Sequence, residues 1–274
     1  MRDGSLIPRF GRARRDPAKA VLEGFHPVKH ALRFGAELEL LVTPDPAALA
    51  ALAAALAPDL VERICELAHR IAPGTFEQLS PLTPSTPALA IARRPREDAR
   101  EVLAARRPGP FVLLEDPRDL GNMGACVRVA AAADAGGVLC TGTHDPWHPD
   151  ALRGAAGLHF ALPVVRLPDE ALLERSGRAL LAIDPGGEPL EPARLPPQAI
   201  LAFGTERYGL SGELLERAQA RISIPMRAGV SSLNLATSVA AVLFAWRLAG
   251  RDMLAPRPPT GGDRSERRGS GSDE

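Results

Sequence analysis

The spacing of apolar residues divides the chain into a longer C-terminal part and a shorter N-terminal one. From residue 111 onward, short apolar runs at 111–114, 138–141, 161–165, 179–183, 200–203 and 221–224 alternate with stretches of helical period. Runs of this length bounded by turn residues predict buried strands. Strands alternating with helices predict an α/β fold with a mostly parallel sheet covered on both faces. The Ala-rich stretch 125–135 reads as the first of these helices. Positions 232–248 read as the last, with Leu235, Val239, Val242, Leu243 and Trp246 at helical spacing and Gly250 as its stop.

Upstream, the pattern predicts a smaller α/β unit over residues 17–94, with helices at 27–34, 45–56 and 59–71 and strands at 38–42 and 88–92. Asp45 and Asp59 stand where N-caps belong, and Pro58 and Pro73 punctuate the ends. Residues 1–16 carry Arg2, Arg9, Arg12, Arg14 and Arg15 and read as a flexible basic arm with no apolar face to bury. Residues 95–110, charged and set between prolines, read as a linker to a domain spanning 111–250. The Gly-, Ser- and Pro-rich residues 251–274 read as a disordered tail.

Composition narrows the function classes. A formal net charge of +0 excludes a wholesale polyelectrolyte binder, so contact with nucleic acid has to come from local patches. Lys19 and Lys29 are the only lysines, which removes a P-loop, and neither G-x-G-x-x-G nor G-x-S-x-G occurs. An aromatic content of 4% leaves little for a base-stacking platform. Cys65, Cys126 and Cys140 lie in apolar or helical segments without a C-x-x-C spacing and read as buried thiols in a reducing compartment. His26 and His30, four apart, would share a helix face, but with no third ligand nearby they read as surface or capping groups, and no metal site is expected. With no signal peptide and no membrane-span pattern in the sequence, the expected location is the cytoplasm.

Candidate chemistry begins where the strand at 111–114 turns into a helix through DPRDLGNMGACVR at 116–128. Gly121 and Gly124 are expected to let the backbone take positive φ and approach a ligand, with Asn122 and Arg128 offering polar groups at a strand's carboxyl end. Alone, this is ordinary turn chemistry followed by a helix-surface arginine. Two later stretches change that: FGTERYGL at 203–210 and ISIPMRAGVSSLN at 222–234. Gly204 follows a buried strand and leaves room for a flat base, while Ile224, Met226 and Leu233 can form apolar walls.

In this order and at these separations, the three segments resemble the signature motifs of the TrmH family of SPOUT RNA methyltransferases. The resemblance implies a knotted, mostly parallel SPOUT-type domain preceded by a smaller α/β RNA-binding domain, S-adenosylmethionine bound in a bent form at a deep trefoil knot, and a homodimer with active sites at the subunit interface. The run VLEGFHPVKHAL at 21–32 resembles the opening of the ribosomal-protein-like substrate-binding domain of two-domain members. The implied catalytic positions are Asn122, Arg128, Glu206, Ser232 and Asn234, and the implied cofactor contacts are Gly142, Gly204, Ile224, Met226 and Leu233. No metal and no membrane partner is implied.

The family assigns activation of the ribose 2′-hydroxyl to the position of Arg128. An arginine with a pKa above about 12 is a poor base at neutral pH. The reading favoured here has Arg128 gripping the adjoining phosphate and lowering the hydroxyl's pKa electrostatically, with proton abstraction left open. Where many family members carry Arg followed two positions on by Ser, this chain has Arg153, Gly154 and Ala155, which leaves the finer substrate positioning open. The N-terminal extension resembles that of rRNA-acting members, so rRNA is expected ahead of tRNA. The competing readings are a catalytically silent RNA-binding or ribosome-assembly protein with the same fold, and a hydrolase or nucleotide-binding α/β enzyme. Five polar site positions argue against the first, and the missing motifs against the second.

Overall fold

The computed structural model describes residues 5–205 and 208–250, and these fold around two sheets. The N-terminal unit comprises α1 (Leu6–Ala13), β1 (Lys19–Glu23), α2 (Phe25–Arg33), β2 (Leu38–Thr43), α3 (Pro46–Leu56), α4 (Val61–Leu67), β3 (Ala68–Arg70), α5 (Pro73–Gln78) and β4 (Leu89–Arg93). Its strand order is β1-β4-β2-β3, with β4 antiparallel to β1 and β2, and β3 parallel to β2. Side-chain alternation sends Leu41 and Ala90 into the core with Phe25, Val28 and Leu49, and sends Leu40, Val42, Leu89 and Ile91 into a second core with Leu6, Phe10, Phe76 and Leu79.

That second core corrects the reading of residues 1–16 as a flexible basic arm. Leu6, Phe10 and Ala13, spaced four and three apart, form one helical stripe and are buried, so α1 closes the outer face of the sheet. Arg9 of this helix donates to the Glu39 carbonyl at 3.3 Å, and Arg14, its C-cap, pairs with Glu23 at 2.7 Å and donates to the Leu79 carbonyl at 2.6 Å. Arg2 and the tail 251–274 lie outside the described residues. The helix expected over 59–71 ends at Leu67, because residues 68–70 gain a parallel partner in β2. Asp59 lies in a 3-10 turn and pairs with Arg33 instead of capping, whereas Asp45 caps α3 as expected.

The C-terminal unit comprises α6 (Ala99–Ala104), β5 (Phe111–Leu114), α7 (Leu120–Ala132), β6 (Gly137–Cys140), α8 (Pro149–Gly154), β7 (Val164–Arg166), α9 (Ala171–Arg175), β8 (Leu180–Pro189), β9 (Ile200–Phe203), α10 (Gly212–Arg217), β10 (Ala220–Ser223) and α11 (Leu235–Ala249). Six strands in the order β10-β8-β9-β5-β6-β7 are all parallel. In β5, Val112 and Leu114 face Met123, Val127, Val239 and Leu243 of α7 and α11, while Phe111 and Leu113 face Leu103, Leu172 and Leu214 on the other side. Burial on both faces is why these strands read as continuous apolar runs. The segment read as a linker is part of this packing. Val102 and Leu103 of α6 are buried, and Arg178 donates to the carbonyls of Leu103 and Ala105 at 2.8 and 2.6 Å.

Two further expectations change. Gly121 and Gly124 lie inside α7 and do not take positive φ. A Cβ on Gly124 would sit 2.2 Å from the Ala151 carbonyl oxygen, and one on Gly154 would sit 2.8 Å from that of Gly121. These glycines let α7 and α8 touch backbone to backbone. Gly124→Val is expected to cost at least about 3 kcal/mol, the upper range for forced overpacking, readable as a lower midpoint in urea. An unchanged midpoint would show that the helices separate at little cost. Cys126 and Cys140 are buried as expected, but Cys65 is exposed.

The two units meet where α2 rests on the turn after α8. His30 Nδ1 lies 2.7 Å from the Ala156 carbonyl oxygen, Arg94 pairs with Asp145 at 3.0 Å, and Gly157, at φ +76°, leaves no room for a Cβ, which would lie 2.6 Å from the Pro27 backbone. This junction fixes the groove described below.

Candidate functional site

A cavity of about 220 Å³ opens at the carboxyl end of β9, where parallel α/β sheets bind ligands, and beside the middle of β8. A register break builds one wall. Residues 181–182 of β8 pair with 220–221 of β10, whereas 188–189 pair with 222–223, so residues 183–187 have no partner in β10, while Ile183 stays paired with Phe203 of β9. Ile183, Asp184 and Pro185 of that stretch line the cavity. Phe203, Gly204, Ile224 and Met226 line it as well, together with Ser232, Leu233 and Leu235. Ile224 and Met226 are half-buried and Leu233 is 36% exposed, a wall of apolar groups not yet covered.

The shape of this pocket depends on Gly204, for a reason different from the one expected. A Cβ there would fall 2.0 Å from the Gly209 carbonyl carbon, so the glycine admits protein backbone, not a ligand directly. Thr205 and Gly209 exchange backbone hydrogen bonds at 3.1 and 2.9 Å, closing the loop tightly over the strand end. Thr205 and Gly209 also line the cavity. Glu206 lies outside the described residues.

The N-termini of α7 and α11 converge at the rim. Asp119 caps α7 by accepting from the Asn122 N–H at 2.7 Å. Asn234, not Ser232, caps α11: its Oδ1 accepts from the N–H groups of Ala236 and Thr237 at 2.9 and 3.3 Å. With Oδ1 so occupied, the Asn234 Nδ2 amide donates to Asn122 Oδ1 at 3.1 Å, a bridge across 112 residues of sequence. Two helix N-termini, each with surplus N–H groups and a partial positive end, therefore point toward one place. Negative charge developing on an oxygen there is stabilised.

Arg128 stands apart from this cavity. It is exposed and lies six residues beyond Asn122 on α7, where it lines a separate groove of about 740 Å³ between the two units. Lys29, His26 and Arg153 line the same groove. The His26 pKa is lowered, first by burial and then by the charges of Lys29 and Arg128. The Lys29 pKa is lowered by burial and by Arg33, with Arg128 adding to it against Asp59. The local potential is positive.

Of the cofactor positions, Gly204, Ile224, Met226 and Leu233 line the cavity, while Gly142 does not; at φ +79° it packs against Asp116, whose Oδ1 would lie 2.2 Å from its Cβ. Of the polar positions, Ser232 lines the cavity, Asn122 and Asn234 meet beside it, and Arg128 lies in the groove. Ile183, Asp184 and Pro185 were missed. Their signal was available, a strand at 179–183 running into Asp-Pro-Gly-Gly, and the rule that ligands sit at strand carboxyl ends would have selected them.

The donor set suits adenosine: apolar walls for a flat base, with the Asp184 carboxylate, Thr205 and Ser232 hydroxyls and strand-end backbone at the edges. Among known proteins, a 23S rRNA (adenosine(1067)-2′-O)-methyltransferase from Streptomyces azureus is 33% identical over 160 residues, covering 56% of this chain and 59% of that protein. The chain thus spans less than two thirds of the length of such curated relatives. The crystal structure of the SpoU methyltransferase AviRb from Streptomyces viridochromogenes in complex with AdoMet superposes with a TM-score of 0.70 at 22% identity, over 88% of this chain and 97% of that one. The crystal structure of an RNA 2′-O ribose methyltransferase gives 0.67 at 27% identity, over 89% and 96%. The model of the SpoU rRNA Methylase family matches residues 109–244, and this part of the chain is a SpoU methylase domain with homologues among the 23S rRNA 2′-O-methyltransferases.

Proposed function

We propose that the protein is an S-adenosylmethionine-dependent RNA 2′-O-ribose methyltransferase acting on rRNA. The observation that carries this reading is the Asn234–Asn122 bridge, which brings two separate motif segments together at the rim of an adenosine-compatible cavity. When bound, S-adenosylmethionine supplies a methyl group already activated by its sulfonium charge. The chain has to position an oxygen and assist loss of its proton. Gly204, Ile224, Met226 and Leu233 are the proposed cofactor contacts, joined by Ile183 and Asp184. Asn122, Ser232, Asn234 and Glu206 are the proposed polar groups around the reacting oxygen, with the paired helix N-termini stabilising its developing charge. Relatives named as 23S rRNA 2′-O-methyltransferases support rRNA as the substrate class.

The proposal includes a homodimer. In a single chain Arg128 lies outside the cavity, and Val230, Leu233, Phe244 and Leu248 are exposed on and beside α11. A second copy would cover those side chains and bring its Arg128 toward the cavity, where the guanidinium holds phosphate and hydroxyl together. A trefoil knot through the loops after β9 and β10 and an RNA-binding role for the N-terminal unit complete the reading. No specific observation favours the silent-scaffold alternative. The test is calorimetric titration with S-adenosylmethionine, followed by mapping of 2′-O-methylation on rRNA incubated with protein and cofactor. One cofactor site per subunit and a new methyl mark are expected. Folded protein that binds no cofactor would end the enzyme reading.

A further inference from the structure

The groove between the units contains a charge arrangement that the cofactor cavity leaves unused. Lys19 is paired with Glu39, but Lys29, the other lysine of the chain, makes no ion pair among the described residues and lines the groove together with Arg128, which makes none either. The one carboxylate lining the groove is Glu23, whose side chain is 4% exposed and which is held by Arg14 at 2.7 Å and Arg153 at 3.4 Å. Glu23 is therefore neutralised from within, and the two unpaired cations set the sign of the groove. Mutual repulsion of Lys29 and Arg128 in a partly desolvated site, felt at His26 as a lowered pKa, costs stability, and a bound anion would relieve it.

The segment 82–86, which also lines the groove, supplies the hydroxyls of Thr83, Ser85 and Thr86 and an exposed Leu82. Thr86 Oγ1 accepts from the Phe25 N–H at 2.7 Å, leaving its own hydrogen to donate into the groove. Cations and hydroxyl donors lining one groove suit phosphate oxygens, and an apolar side chain in the same lining suits a ribose or base. At about 740 Å³ the groove is too large for a lone anion and has room for nucleotides.

We propose that this groove is a track for the phosphodiester backbone of single-stranded RNA, with Lys29 binding a phosphate next to the one held by Arg128; this deepens the proposed action on RNA and rests on it. Lys29 is a binding residue that takes no part in methyl transfer. The groove joins the N-terminal unit to the catalytic domain through substrate, so the strand bound by α2 is the strand presented to α7.

The test uses the full chain and a fluorescent single-stranded RNA of mixed sequence, with affinity measured across a salt series. Lys29→Ala is expected to lower the salt slope by about 0.7, the value for one lost phosphate contact on a single strand. Lys29→Glu should weaken binding further, and both variants should keep wild-type S-adenosylmethionine affinity. Arg175→Ala, which removes a cation from α9 on the opposite face of the sheet, should leave the slope unchanged. Wild-type slopes in both Lys29 variants, or an equal drop in Arg175→Ala, would overturn the proposal. Methylation by the wild-type chain is read separately. An active enzyme with no Lys29 effect discards the groove and keeps the function; an inactive one with the expected slope change keeps the groove as an RNA site and discards the function.

Discussion

Arg128→Ala is expected to abolish methyl transfer while leaving S-adenosylmethionine affinity at the wild-type value. The two effects separate because Arg128 lines the groove between the units and is not among the residues lining its own chain's cavity of Ile183, Gly204 and Ile224. Arg128→Lys then distinguishes two mechanisms. If positive charge alone lowers the hydroxyl's pKa, lysine should retain much of the rate. If the planar fork holds phosphate and 2′-hydroxyl in register, lysine should lose at least about a hundredfold, the scale on which small misplacements reduce rate. Saturating cofactor and single-turnover conditions isolate the chemical step. Full activity in Arg128→Ala would reduce α7 to a structural helix and remove the mechanism.

Gly204→Val is expected to eliminate cofactor binding, through the backbone. Its Cβ would overlap the Gly209 carbonyl carbon at 2.0 Å, so the tight loop closed by Thr205 and Gly209 has to move off the end of β9. That loop lines the cavity, and its displacement removes one side of the binding site. Ile224→Ala is the milder comparison. It removes apolar wall without moving backbone, and about 1–3 kcal/mol of lost burial corresponds to binding weaker by roughly 5- to 150-fold. Wild-type affinity in a folded Gly204→Val protein would show that the cofactor binds elsewhere. Mixing the two inactive variants, Arg128→Ala and Gly204→Val, also tests the proposed dimer. If Arg128 acts on the partner's cavity, random pairing in a twofold dimer regenerates one intact site per mixed pair and roughly a quarter of the activity. If it acts within its own chain, mixing restores nothing.

The sequence by itself determined the parallel sheet of the C-terminal unit. Strands buried on both faces have to be apolar throughout, so β5 and β9 stand out at their observed bounds, and the stripe of α11 is legible from Leu235 to Trp246. It also supplied most of the cavity, because Gly204, Ile224, Met226 and Leu233 fall in two short motif segments. α1 was hidden because a stripe of three residues is diluted by arginines, and only packing against Val21, Leu40 and Ile91 gives it a reason to fold. β3 was hidden because a parallel partner, not local period, makes residues 68–70 extended. The roles of Gly124 and Gly204 were decided in three dimensions as well: a glycine in a motif leaves open whether ligand or backbone fills the space its missing Cβ provides, and here backbone does. Tertiary structure alone set the Asn234–Asn122 bridge and put Arg128 beside Lys29, since both depend on which helix ends and faces meet, and a one-dimensional pattern of residues does not encode the distance between two helices.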